Sequence, residues 1–216
     1  MQRIPVRIFS ARPGAGQAHQ PGCFSWIATT RLHFRANVDL RAFTERFYWK
    51  ICGGHLQPVL DTQIYLRKET GVRFELASLL VPDENDSDTE LEEMTCCVVE
   101  HLEPDVPMPF TAFHPDWKMR DKSPTPAETL SRARRVALKN GVRYAYTGNV
   151  HDEAVSSTYC HQCGGRLIGR DWYVITEWHL TADGRCPHRH AVCSGVLESR
   201  HGDWGSRRAG KTREHA

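Results

Sequence analysis

Apolar and polar positions alternate regularly through the middle of the chain, and the two ends lack that pattern. Phe34 to Leu40 is a short apolar run followed by polar residues, and it predicts a strand. Thr44 to Thr70 predicts helix, broken at Gly53-Gly54 and stopped at Gly71. Its apolar face is Leu56, Val59, Leu60, Ile64 and Leu66. Val72 to Val81 predicts a buried strand closed by Pro82. Ser87-Asp88-Thr89-Glu90 has capping-box spacing, and the helix it opens sets Leu91, Met94, Val98 and Leu102 on one face. Met108 to Phe113 predicts a short strand. Thr125-Pro126-Ala127-Glu128 is a second capping box, with proline at the first helical position. That helix runs to Asn140-Gly141, and Val142 to Tyr146 predicts a fourth strand.

Strand and helix therefore alternate, which argues for an α/β fold with parallel strands, either an open sheet or part of a (β/α) barrel. Ligand chemistry in such folds sits at the carboxyl ends of the strands. That rule singles out Asp39 and Arg41, the stretch Pro82 to Asp86, and the stretch His114 to Asp116.

Length limits this picture. A complete eight-stranded barrel takes about 250 residues, so 216 residues do not hold a full barrel and a further module. Apolar residues at 40% and charged residues at 25% are ordinary for a soluble globular chain. No apolar run approaches the ~18 residues of a membrane helix. Met1 to Pro5 lacks a secretory apolar run, so a cytoplasmic location without a membrane partner is expected.

The charge distribution refines it further. Net charge is +2, but residues 1–35 carry +5 and residues 200–216 carry +3, which leaves −6 between them. A nucleic-acid protein would put its basic surface on the folded part. Here that part is acidic, so no nucleic-acid partner is expected, and the basic ends read as solvated tails. The chain divides into a basic segment 1–35, an α/β domain 36–150, a small module 151–198 and a basic disordered tail 199–216.

The module is marked by its cysteines. Four of the eight cluster after residue 159, whereas Cys23, Cys52, Cys96 and Cys97 are scattered. Cys160-His161-Gln162-Cys163-Gly164 is a C-x2-C-G knuckle, the half-site of a zinc ribbon. Cys186 follows after 22 intervening residues, close to the spacing of a second knuckle. The fourth ligand would fall at position 189, which is arginine, a side chain that stays protonated and cannot ligate. His188, His190 and Cys193 are the available substitutes, so the candidate zinc ligands are Cys160, Cys163, Cys186, His190 and Cys193. A free-thiol redox pair is the alternative, but Gly164-Gly165 predicts a turn rather than the helix start such motifs need.

Several strings resemble one family. Asn37-Val38-Asp39-Leu40-Arg41-Ala42-Phe43 and Gly53-Gly54-His55-Leu56-Gln57-Pro58-Val59-Leu60 are similar to radical S-adenosylmethionine enzymes of the AmmeMemoRadiSam type, relatives of pyruvate formate-lyase activating enzymes. The likeness continues through Leu80-Val81-Pro82-Asp83-Glu84-Asn85-Asp86, Phe110 to Pro115 and Tyr146 to Asp152, and ends in the Cys160 knuckle. It covers roughly residues 36–188 and corresponds to the C-terminal half of the family's protein.

The resemblance implies the C-terminal strands of a partial radical-enzyme barrel with a zinc-ribbon-like tail. It also implies S-adenosylmethionine and a [4Fe–4S] cluster as cofactors, reductive formation of a 5′-deoxyadenosyl radical, and Memo-like and AMMECR-like partners. Asp39-Leu40-Arg41 falls on the family's Asp-x-Lys motif, and His114 falls on a strand-end histidine beside the nucleoside. These three are the expected S-adenosylmethionine side. The family commonly reads Pro-Gly where this chain has Pro82-Asp83.

The cluster motif Cys-x3-Cys-x2-Cys is absent. A four-iron cluster needs three such thiolates, so this chain is expected to be inactive in radical chemistry. After Cys186-Pro187-His188 the family continues Cys-Gly-Thr-Pro, whereas this chain reads Arg189-His190-Ala191-Val192-Cys193. One codon choice for those five residues, CGG CAC GCC GTG TGC, spells Gly-Thr-Pro one base on, so a truncated or frame-disrupted gene is expected. Two other classes stay open. One is a non-catalytic zinc-ribbon module that binds a protein. The other is a hydrolase using Asp39, His114 and Asp116, which lacks a G-x-S-x-G nucleophile motif.

Overall fold

A computed structural model describes residues 35–195 and Leu197. The expectations for the basic ends, and for Cys23, lie outside the described residues.

Four strands form one parallel sheet in the order β1-β2-β3-β4: β1 Arg35–Asp39, β2 Arg73–Leu80, β3 Met108–Ala112 and β4 Ala145–Gly148. The registers are Val38 beside Leu76, Ser78 beside Phe110, and Phe110 beside Thr147. Parallel neighbours need long crossovers, and helices supply them here. A short helix α1 (Glu45–Phe47) runs into a π-turn at Tyr48–Cys52, and α2 (Leu56–Glu69) follows it. Helix α3 spans Asp88–Leu102 and α4 spans Ala127–Lys139. The mixed α/β class and the alternating element order are as expected.

One face of the sheet is the core. In β2 the residues Phe74, Leu76, Ser78 and Leu80 are buried and alternate with half-buried ones. Leu91, Met94 and Val98 of α3, with Leu130, Ala133 and Ala137 of α4, pack on them. The other face is more polar: the Asn37 amide donates to Glu75 at 2.7 Å there.

Local details differ from the sequence reading. Gly53, at φ +68°, ends the π-turn as expected, but α2 is closed by Thr70 rather than Gly71. The Thr70 hydroxyl donates to the Leu66 carbonyl at 2.6 Å and accepts from the Val72 N–H at 3.2 Å. Ser87 caps α3 through the Glu90 N–H, yet the Glu90 carboxylate turns away from the box and accepts the Phe43 N–H. The second capping box does not form: Pro126 is the cap residue of α4. Thr125 is buried, accepting from the Phe113 N–H at 2.9 Å and donating to the Leu80 carbonyl at 2.6 Å. It thereby clamps the ends of two strands. Strand β4 starts at Ala145 rather than Val142.

A second, antiparallel sheet follows α5 (Glu153–Ser156): β5 Thr158–Tyr159, β6 Arg166–Asp171 and β7 Val174–Trp178, in that order. Its core joins Leu167, Ile168 and Leu180 to Tyr144, Cys160, Cys186 and Cys193. Tyr144 belongs to the connection into β4, so the small sheet packs beside the end of the parallel one. The Ser194 N–H donates to the Tyr144 hydroxyl at 2.9 Å, and the Ser194 hydroxyl donates to Asp105 at 2.8 Å. No helix among the described residues is long and apolar enough to cross a membrane.

Candidate metal centre

Two tight turns bring three thiols together. In the first, the Cys160 N–H donates to the Gly165 carbonyl at 2.9 Å and the Gly164 N–H donates to the Cys160 carbonyl at 2.8 Å. Gly164 makes the reversal at φ +71°, a left-handed conformation that costs glycine nothing. The turn also aims the Gln162 N–H at Cys160 Sγ, 3.4 Å away. This is the turn expected from Gly164-Gly165, not a helix start.

The second turn repeats the first in its backbone. The Cys186 N–H donates to the Ala191 carbonyl at 2.9 Å and the His190 N–H donates to the Cys186 carbonyl at 2.9 Å. His190 makes the reversal at φ +55°. The N–H groups of His188 and Arg189 point at the Cys186 thiol.

The Sγ atoms of Cys160, Cys163 and Cys186 lie within 4.8 Å of one another. Cys163 and Cys186 are 3.7 Å apart. Cys160 and Cys186 are buried, and Cys163 is exposed. Burial pushes the Cys186 thiol up, but the His188 and Arg189 N–H groups and the two neighbouring thiols outweigh it, so its net shift is downward. For Cys163 the Gly165 N–H pulls down, while desolvation and the thiols of Cys160 and Cys186 push its pKa up. Crowded thiols that cannot ionise independently suit a cation that takes all of them as thiolates.

Two expected ligands stand apart from this group. No described histidine, aspartate or glutamate joins the three sulfurs. His190 is used as the turn residue, where the first knuckle has glycine. Cys193 is buried beside the Tyr144 hydroxyl, with which it shares a hydrogen bond, and desolvation raises its thiol pKa.

The strand-end candidates form a separate place. A cavity of about 280 Å³ opens at the carboxyl ends of β1, β2 and β3, lined by Arg41, Phe47, Cys52, Leu79, Val81 and Phe113 among others. Apart from Arg41 and Cys52, the residues that line it have apolar side chains. Arg41 is held by its neighbour, because its guanidinium donates to the Asp39 carboxylate at 2.7 Å. The Arg41 carbonyl accepts from the buried Asn85 amide, which also donates to the Leu79 carbonyl and accepts from the Val81 N–H at 2.7 Å. Asn85 thus ties the ends of β1 and β2 around the cavity, a role that its exposed-looking loop sequence concealed.

His114 is exposed, its ring nitrogen 3.2 Å from the Pro115 carbonyl, and its neighbour Phe113 lines the cavity instead. Asp83 adopts φ +65°, so the left-handed turn is kept at the position where the resembled family has glycine. Its N–H donates to Asp86 at 3.0 Å.

No protein-family model matches the sequence. The chain is 40% identical over 134 residues to an uncharacterized protein of Methanocaldococcus jannaschii. That match takes in 62% of this chain and 40% of the archaeal protein, so the chain spans well under half of its relative's length. Among solved structures, a domain of a pyruvate-formate lyase-activating enzyme from Bacteroides vulgatus aligns with a TM-score of 0.46 and 10% identity. The alignment covers 53% of this chain and 67% of that one.

Proposed function

We propose that this chain is an α/β unit of the radical S-adenosylmethionine, activating-enzyme-like kind, of the AmmeMemoRadiSam group, whose small C-terminal sheet is a ribbon held by one zinc ion. The family strings from Asn37 to Gly164 support the first half of that reading. The three gathered thiols carry the second half.

Geometry favours one ion. Zinc holds thiolates at about 2.3 Å in a tetrahedron, which sets neighbouring sulfurs about 3.8 Å apart. Cys163 and Cys186, at 3.7 Å, match that edge. A four-iron cluster puts each thiolate on a different iron and so spreads the sulfurs wider. The triad therefore does not fit the cluster, and no radical step is assigned to these residues. Cys160, Cys163 and Cys186 would hold zinc, which supplies folding stability by crosslinking the two turns.

On the parallel sheet, Arg41 is the cation that would meet the carboxylate of S-adenosylmethionine, and Asp39 the group for its amino end. Each now satisfies the other. The same family supplies Memo-like and AMMECR-like proteins as partners. A second reading, a protein-binding ribbon without catalysis, is favoured by Trp172, Tyr173 and Val174, which stand exposed at the turn from β6 into β7.

Metal analysis of the full chain tests the proposal. One zinc per chain is expected, with no thiolate-to-iron absorption after anaerobic iron and sulfide reconstitution. Iron–sulfur absorption with cleavage of S-adenosylmethionine would instead make the chain a competent radical enzyme. Binding of S-adenosylmethionine weakened in Arg41→Ala supports the strand-end assignment, and unchanged binding overturns it.

A further inference from the structure

We infer that the metal centre is a three-thiolate site whose fourth position is filled by an exchangeable neutral donor from solution, water in the resting protein. This rests on the one-ion reading of the three cysteines and extends it to the coordination number the chain supplies.

The argument is the match between the turns. Cys160 corresponds to Cys186 by the same pair of backbone hydrogen bonds, to the residues four and five positions on. Gly164 corresponds to His190 by its left-handed φ. The residue just before the reversal in each turn is the second ligand corner: Cys163 in the first turn and Arg189 in the second. A guanidinium has no lone pair to give a metal at any pH the protein survives. The fold therefore builds four corners and the sequence fills three.

None of the substitutes joins the three sulfurs: the His188 ring comes up beside Gly165 but no imidazole nitrogen is gathered with them, His190 makes the reversal, and Cys193 pairs with Tyr144. Cys163 and Arg189 are exposed, so solvent reaches the open side. Water is the donor that solvent supplies at that open side, and a small neutral base such as imidazole can replace it there. Three protein ligands plus water is also the arrangement zinc adopts where it keeps an exchangeable position.

Cobalt(II) substitution in the full-length chain tests this, because its visible spectrum reports ligand number and type. One cobalt per chain is expected, with charge-transfer intensity for three thiolates and d–d bands that shift when imidazole is added. Arg189→Cys is expected to add a fourth thiolate, abolish the imidazole shift and tighten zinc binding by at least about tenfold. Wild-type bands indifferent to imidazole, with Arg189→Cys no tighter than wild type, would mean that a fourth protein donor closes the site and would overturn the inference alone. Absence of metal binding in both wild type and Arg189→Cys would overturn the metal centre itself.

Discussion

The Glu90 carboxylate accepts the backbone N–H of Phe43 at 2.6 Å, which ties the first turn of α3 to the loop leaving β1. Glu90 is buried, and desolvation, helped by the nearby Glu93 and Asp86, raises its pKa against the pull of the Phe43 N–H and Arg46. A carboxyl group whose folded pKa lies above its unfolded value favours folding when protonated. Its contribution is fully present below the ordinary glutamate value and is lost as pH rises through the raised one. Glu90→Gln keeps an acceptor for Phe43 without the buried charge. It should match wild type at acidic pH and gain stability relative to it, by about 1 kcal/mol, toward neutrality. Glu90→Ala orphans the Phe43 N–H and should lose about 1–3 kcal/mol. Urea melts of the three proteins at pH 4 and pH 7 decide this, and a Glu90→Gln difference that does not change with pH contradicts it.

Gly169 sits where the pairing of β6 with β7 shifts register. A Cβ there would stand 2.5 Å from Thr176 Oγ1, 2.9 Å from Glu177 Cβ and 3.0 Å from the Glu177 backbone nitrogen. The threonine can rotate, but the backbone nitrogen cannot. Gly169→Ala should therefore cost about 1–3 kcal/mol, and Thr176→Ala, which removes the hydroxyl, should recover little when added to it. Thermal unfolding of the single and double variants measures both effects. Full rescue by Thr176→Ala would show that the clash lies with the threonine side chain alone.

Asp83 holds φ +65° on the loop after β2, a conformation that costs non-glycine residues about 1–2 kcal/mol, less for aspartate. Asp83→Gly should raise stability by about 0.5–1 kcal/mol, because the turn is kept and its N–H still reaches Asp86. A lowered melting temperature would mean that the Asp83 side chain makes a contribution larger than the strain.

These residues also show what the sequence made legible. The α3 face of Leu91, Met94, Val98 and Leu102 is buried as its spacing predicts, because a helical repeat needs no knowledge of its partner. The capping boxes fared differently. Ser87 caps, yet Glu90 and Thr125 are taken by Phe43, Phe113 and Leu80, groups distant in sequence that no local pattern reveals. The same split runs through the candidate metal site. Spacing alone selected Cys160, Cys163 and Cys186, whereas ranking His190 and Cys193 needed the backbone path, which turns one into the glycine position and buries the other beside Tyr144.

That ranking is open to a direct comparison. His190→Gly replaces a strained left-handed residue with the one that the first knuckle uses, so it should keep the metal and gain about 0.5–1 kcal/mol. Cys193→Ala should keep the metal too, and lose stability only through the packing and the Tyr144 hydrogen bond. Cys160→Ser, Cys163→Ser and Cys186→Ser each remove one of the three gathered sulfurs and should bring zinc content well below one per chain. Zinc measured per folded chain, alongside the melting temperature of each variant, separates ligands from packing residues. Loss of zinc in His190→Gly or Cys193→Ala, with the fold intact, would restore that residue to the ligand set.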